Sequence, residues 1–259
     1  MNDLLHDQDR HWSRHARRYD EVFLDPFRPE VSNPLTAAIA AIPDPASKSA
    51  IDLGCGTGPL LPDLVARFGK VVALDFAPGM IKKARARLGE QAERVTFLTR
   101  SMDALDDLVG QFDLAVAVNS IVMPDVRLID RTLAAIRAAL APGGRFLGVV
   151  PSIDAIHYHT MLLYDRALEQ GHGPEEAERE AAFHAEHIYY DFGFGRFAYQ
   201  GLNQKFWQPF EVEYRLNKAG FGNVALSKLL YPWDEQILGG AAAFATQPPS
   251  WDWTFNAAP

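Results

Sequence analysis

Only one of the 259 residues is cysteine, Cys55, so no internal disulfide can form; packing must hold the fold, and a reducing compartment is expected. Excess positive charge is also missing. Lys and Arg total 25 against 33 Asp and Glu, a formal net charge of −8, which offers no basic face to a phosphate backbone. No apolar run approaches the length of a bilayer span, since "LTAAIAAI" stops at Pro43. The opening "MNDLLHDQDRHW" has no apolar core of the kind a signal peptide needs. Internal repeats and low-complexity segments are absent as well. These absences lead us to expect a soluble cytoplasmic protein that partners neither nucleic acid nor membrane. What remains is ordinary for a globular chain, 48% hydrophobic and 22% charged residues, and long enough for one large α/β domain or a domain with an insertion.

The apolar pattern alternates between short strands and amphipathic helices. "SAIDLG", "KVVALDF", "RVTFLTR", "FDLAVAVN" and "RFLGVV" read as strands, the fourth apolar enough to be buried on both faces. Between them, "GPLLPDLVARFG", the stretch from Met80 to Leu88 and "DVRLIDRTLAAIRAAL" read as helices; Val126, Ile129, Leu133, Ile136 and Leu140 form one stripe of the last. Alternation of this kind makes a parallel sheet with helices on both faces. Four segments are expected: an N-terminal helical cap over 1–45, an α/β core over 46–151, an insertion over 152–206, and a final helix with the last two core strands over 207–259. The insertion begins helically and ends in the aromatic, glycine-spaced "DFGFGRFAYQG".

The first strand runs into "AIDLGCGTG", with Gly54, Gly56 and Gly58 at alternate positions. Glycines let a backbone take positive φ and approach a ligand closely. A dinucleotide fingerprint would be G-x-G-x-x-G/A, but Pro59 stands at its third glycine position. Pro59 suits a first helical turn, so a nucleoside without a pyrophosphate becomes the better ligand.

With the neighbouring segments, the loop resembles the first motif of class I S-adenosylmethionine-dependent methyltransferases. "VVALDFAPGMIKKARAR", "LTRSMDAL" and "FDLAVAVNSIVMPD" followed by "LAPGGRFLGVV" resemble the family's later motifs, in order and at fitting distances. The resemblance covers about residues 46–151 plus the two last strands. It implies a Rossmann-like, doubly wound seven-stranded sheet, mostly parallel, with "WDWTFNAA" as one antiparallel strand near the edge. It also implies S-adenosylmethionine as cofactor and assigns residues to it. Asp75 would accept from the ribose hydroxyls and Asp103 from the adenine amino group, with Ser101 and Met102 as backbone neighbours. Phe76 and Met80 would face the base. The backbone of Gly54, Cys55, Gly56 and Gly58 would pass under the methionyl part, and Asp52, Asn119 and Ser120 would receive its amino group. Trp12 and Tyr19 would fold over the bound cofactor, or else belong to an amphipathic helix packed on the sheet edge. Asp103 read alone can also be a helix start, and Cys55 a small residue that fits the loop.

The acceptor is expected to be a small molecule, methylated by direct in-line transfer in which orientation carries much of the work. No asparagine–proline–proline–aromatic motif follows the fourth strand, and a single cysteine excludes a multi-thiolate site. Residues 152–206 are the expected lid over the acceptor. If a proton must be removed, His187 is the first candidate base, His157 and His159 the second, and Tyr190 can orient the acceptor. Glu180, His184 and His187 share a helical face at i, i+4, i+7, but without a further ligand set no metal is expected. Two other readings remain: a nicotinamide oxidoreductase on a related sheet, which Asp75 suits equally, and a non-catalytic cofactor-binding scaffold.

Overall fold

The computed structural model describes residues 25–182, 190–199, 202–233 and 241–259, with only the backbone described at 190, 199, 202, 241 and 242. Trp12, Tyr19, His184 and His187 lie outside these residues, as does the side chain of Tyr190.

Seven of the strands form one sheet. β1 (Ser49–Leu53), β2 (Lys70–Asp75), β3 (Val95–Thr99), β4 (Phe112–Val118), β5 (Leu140–Val150), β9 (Gly222–Tyr231) and β10 (Ser250–Ala258) lie in the order β3-β2-β1-β4-β5-β10-β9. β1 to β5 pair in parallel, and β10 runs antiparallel to both its neighbours. The order reverses between β1 and β4, where a doubly wound sheet opens its ligand crevice.

The helices are α1 (Pro34–Ala40), α2 (Leu61–Arg67), α3 (Pro78–Leu88), α4 (Val126–Ala139), α5 (Ile153–Glu169), α6 (Pro174–Ala181), α7 (Pro209–Lys218) and a short α8 (Ala241–Phe244). One face of the sheet buries Leu35 and Ile39 of α1, Leu61 and Leu64 of α2 and Ala84 of α3. The other buries Ile129, Leu133 and Ile136 of α4 with Val212 and Leu216 of α7. The expected stripe on α4 thus faces the core, except that Val126 stays outside it and Leu140 already begins β5. Helices pack on both faces because the first two crossovers run one way from β1 and the later ones run the other. β9 would be a bare edge, but Ser32 pairs with Leu230 through N–H···O bonds of 3.1 and 3.0 Å and covers part of it.

Three local expectations need correction. Pro59 does not enter a helix; α2 starts at Leu61 and the proline of its first turn is Pro62. The fifth strand, read as "RFLGVV", begins earlier, at Leu140, and takes in "APGG" as a register shift between the Phe112–Leu140 and Leu114–Arg145 pairs. The aromatic part of the insertion is a small sheet of β6 (Tyr190–Asp191), β7 (Arg196–Tyr199) and β8 (Leu202–Lys205), all antiparallel. Its alternating large residues are strand-forming, and Phe197 and Phe206 pack with Ile153 of α5 as a satellite core.

Gly148 of β5 shows how tightly the sheet is filled. A Cβ added there would stand 2.3 Å from the Phe255 ring and 2.7 Å from the Ala117 carbonyl oxygen. Gly148→Ala is expected to destabilise the fold by about 1–3 kcal/mol through overpacking, with Phe255→Leu recovering part of the loss in the double variant. Urea unfolding of the three variants checks this; an unchanged midpoint in Gly148→Ala contradicts the packing.

Candidate functional site

The carboxyl ends of β1, β2 and β4 converge on the glycine loop. Gly54 has φ +68°, and a Cβ there would lie 2.4 Å from the Ser120 Cβ, so both the backbone conformation and its neighbour exclude a side chain. Around Gly56, φ +54°, nothing among the described residues lies within 4 Å of an added Cβ, so they leave the loop's middle open on that side. The loop is held from several directions. Gly54 and Cys55 donate N–H bonds to the Leu74 carbonyl at 2.7 and 2.9 Å. Arg87 Nε of α3 donates to the Thr57 carbonyl at 3.0 Å. Ser120 Oγ donates to the Leu53 carbonyl at 2.7 Å and ties the end of β4 to that of β1.

Two buried carboxyl groups stand beside this loop. Asp75 ends β2; its Oδ2 accepts the Gly56 N–H at 2.9 Å and its Oδ1 the Ala77 N–H at 2.8 Å. Asp52, on β1 and 3% exposed, makes no side-chain hydrogen bond among the described residues. Burial, and then the charge of Asp75, push its pKa from 3.8 up to about 7. Burial and the same two carboxylates push the Cys55 thiol well above its usual range, so Cys55 is an inert filler of the loop.

The remaining residues assigned to the cofactor gather around the crevice unevenly. The Met102 sulfur comes within 3.6 Å of a Cβ placed on Gly54. Asp103 caps no helix: its Oδ1 accepts from Ser101 Oγ at 2.5 Å and its Oδ2 lies 3.5 Å from Arg131 Nε, while the short 3₁₀ turn begins later, at Asp106. Phe76 is partly exposed and Met80 buried at the start of α3. Asn119 follows β4 with φ +48°.

The second-choice bases do not meet. On α5, the His157 ring stacks 6.2 Å from that of exposed Phe192, whereas His159 is buried 5.1 Å from Trp233. Glu180 lies beside His172, with His172 Nδ1 2.8 Å from Glu180 Oε1 and Glu176 alongside on the surface; His184 and His187 lie outside the described residues.

The insertion returns to the crevice and is fastened there. Lys205 N–H donates to the Val122 carbonyl at 2.8 Å, and Trp207 donates from Nε1 to Ile121 (2.9 Å) and from its backbone to Pro151 (2.7 Å). The Lys205 ammonium is buried; it donates to the Phe194 and Phe206 carbonyls and pairs with Glu211, which Arg215 links on to Asp130. Burial lowers the Lys205 pKa, and the Glu211 carboxylate opposes that shift. A cavity of about 210 Å³ lies between the insertion and α7, rimmed by Phe192, Phe194, Phe210 and Tyr214, but no glycine-loop residue lines it.

Sequence reasoning missed Arg87, Trp207, Tyr231 and Asp252. The Asp252 carboxylate, at the start of β10, accepts from Tyr231 Oη at 2.8 Å, Asn119 Nδ2 at 3.1 Å and the Ser152 N–H at 3.3 Å. Burial raises its pKa, and these three donors oppose the rise. A lone acid in the aromatic strand "WDWTF" was the signal available for it.

A doubly wound sheet with a glycine loop and buried strand-end acids at its switch point defines a nucleotide-binding protein of the Rossmann-like class. Residues 50–144 match the family model of the methyltransferase domain. The chain is 34% identical over 110 residues to the ubiquinone biosynthesis O-methyltransferase of Xanthomonas axonopodis pv. citri, covering 41% of this chain and 44% of that protein. It is 37% identical over 106 residues to the magnesium-protoporphyrin O-methyltransferase of Rhodobacter capsulatus, covering 38% and 46%. The matches thus span under half the length of these relatives. Among solved structures, the Burkholderia thailandensis 1,6-didemethyltoxoflavin-N1-methyltransferase, with bound 1,6-didemethyltoxoflavin and S-adenosylhomocysteine, shares the fold at TM-score 0.62 and 17% identity, covering 99% of this chain and 88% of that one. Over residues 50–144 the chain is thus similar to methyltransferase domains, and its fold is that of S-adenosylmethionine-dependent methyltransferases of known structure. Among the described residues no helix is long and apolar enough to cross a membrane.

The Asp52 pKa has a measurable consequence. With a folded value of about 7 against 3.8, the folded state keeps a proton that the unfolded chain releases, so stability falls as pH rises from about 4 to 7 and levels off above. Asp52→Asn is expected to lose most of that slope and to exceed wild type at pH 8 by roughly 2–4 kcal/mol. Urea unfolding at pH 5 and pH 8 measures it; parallel pH dependence in both proteins contradicts the assignment.

Proposed function

We propose that this protein transfers the methyl group of S-adenosylmethionine directly, by in-line displacement, to a small-molecule acceptor. The observation that carries the reading is the buried Asp52 carboxyl, without a hydrogen bond among the described residues, beside Asp75 at the switch point and over an open glycine loop. Two adjacent acids fit a ligand that brings positive charge and paired hydroxyls, and this cofactor carries both. Asp75 receives the ribose hydroxyls, Asp52 the methionyl ammonium and Asp103 the adenine amino group. Met80, Met102 and Phe76 face the base, and the peptide units from Gly54 to Gly58 lie along the methionyl chain, with Asn119 and Ser120 at its far side. Trp12 and Tyr19 are assigned to its cover by the sequence resemblance alone. When bound, the cofactor supplies a methyl group already made electrophilic by its sulfonium.

What the chain adds is orientation and exclusion of water. Residues 152–206 form the acceptor-binding insertion in this reading, fastened at its return by Lys205 and Trp207. The names of the relatives, which concern ubiquinone biosynthesis and protoporphyrin, support a small organic acceptor. His157 and His159, the other candidate bases, lie against different aromatic neighbours, Phe192 and Trp233.

Calorimetry with S-adenosylhomocysteine tests the site. One molecule is expected per chain, and Asp75→Ala is expected to weaken binding by roughly 1.5–3 kcal/mol, the scale of hydrogen bonds to a charged acceptor. An unchanged affinity in a variant of unchanged melting temperature contradicts the ribose assignment.

A further inference from the structure

The end of β4 holds a polar group whose bonding is half complete. Asn119 is set in the left-handed region at φ +48°, with its N–H bonded to the Val149 carbonyl at 2.9 Å. Its Nδ2 donates to Asp252 Oδ2 at 3.1 Å. The same oxygen receives the hydroxyl proton of Tyr231 at 2.8 Å, and Tyr231 is 1% exposed. The other Asp252 oxygen faces the Ser152 N–H, which starts α5. Four chain segments therefore converge on one carboxylate: the ends of β4 and β9, the β5–α5 junction and the start of β10.

This arrangement decides which way the Asn119 amide points. An amide turned over would set its oxygen against the Asp252 carboxylate, whose neighbouring hydroxyl proton is already engaged. The NH₂ must therefore face Asp252, and Oδ1 must face away. There Oδ1 is buried and receives no hydrogen bond among the described residues. Such an acceptor is costly to keep in a folded protein, and a ligand that brings the donor is one reason for keeping it.

We propose that Tyr231 and Asp252 lock the Asn119 carboxamide so that its Oδ1 receives an O–H or N–H of the methyl acceptor, which makes the acceptor a hydroxyl- or amine-bearing molecule methylated at that heteroatom. The inference rests on the reading of the crevice as a methyl-transfer site. Asn119 contacts the acceptor; Tyr231 and Asp252 are positioning residues that act through it. The hydrogen bond aims the heteroatom's lone pair at the methyl carbon. That lone pair forms the new bond, the electron pair of the broken C–S bond stays with sulfur, and the displaced proton goes to water, because an amide oxygen does not hold it at neutral pH.

The test starts from S-adenosylmethionine carrying a ¹³C methyl group, incubated with the full chain and a metabolite extract of cells that express it. The carbon shift of the labelled product identifies the methylated atom, and oxygen or nitrogen is expected. With that acceptor, Asn119→Gly, which tolerates the positive φ, is expected to lose about 10- to 100-fold in kcat/KM, the loss of one buried hydrogen bond. Acceptor affinity of the cofactor-free protein, read by calorimetry, is expected to fall by a similar factor. Asp252→Leu is expected to share the loss and Asp252→Asn, whose oxygen can still hold Nδ2, to recover most of it. S-adenosylhomocysteine affinity is expected to stay within about threefold in both Asp252 variants. A product methylated on carbon or sulfur overturns the inference, as does an Asn119→Gly variant within twofold of wild type. A water on Oδ1 that persists in the acceptor complex also overturns it. Wild type that binds no S-adenosylhomocysteine overturns the methyltransferase reading and this inference with it.

Discussion

The structure turns on two carboxyl groups that share a small buried space. β1 and β2 run side by side, so Asp52 and Asp75 are carried to neighbouring strand ends beside the glycine loop. Burial, and then the neighbouring Asp75 charge, disfavour the ionised form of Asp52 and push its pKa from 3.8 up to about 7. The loop answers part of this by turning the Gly56 N–H onto Asp75. That turn needs positive φ at three residues, and glycine meets the requirement at each. Loop conformation, strand adjacency and site electrostatics are therefore one constraint: a fold that keeps this acid pair must also keep the glycines that wrap it.

A second polar centre sits further along the same sheet edge. Asp252 gathers donors from β4, β9 and the start of α5, and it does so from the one antiparallel strand. An antiparallel strand places its beginning, rather than its end, at the carboxyl edge of its parallel neighbours. The reversal of β10 thus lets a residue early in that strand reach the crevice, which a parallel strand in its place would deny.

The insertion is less free than a hinged lid. Backbone bonds from Lys205 and Trp207 fix its return to the loop after β4 and to the end of β5, and the buried Lys205–Glu211–Arg215–Asp130 chain links it to α7 and α4. Breaking one member of a buried ionic chain leaves another uncompensated, so such a link resists opening. Any movement of the insertion then has to come from parts other than this return segment.

The strands, the α4 stripe, the glycine loop and the placement of Asp75 were legible in the amino-acid order, because each depends on local periodicity or on residues within one strand–loop–helix unit. The antiparallel β10 was legible through family resemblance. The small sheet of 190–205 was not, since short aromatic runs spaced by glycine have no period that separates a strand from a loop. Pro59 misled for a similar reason, because Pro62 stands three residues on and either can open a helix. The partners of Asp252 are 133, 21 and 100 residues away in sequence, and Arg87 reaches Thr57 across 30. No pattern in the chain encodes those meetings. Sequence alone determined the core strands and the glycine loop at their switch point, because backbone propensity and spacing are local; the tertiary structure alone decided how the far side of that crevice is wired, because a buried carboxylate takes its donors from whatever segments the sheet order brings beside it.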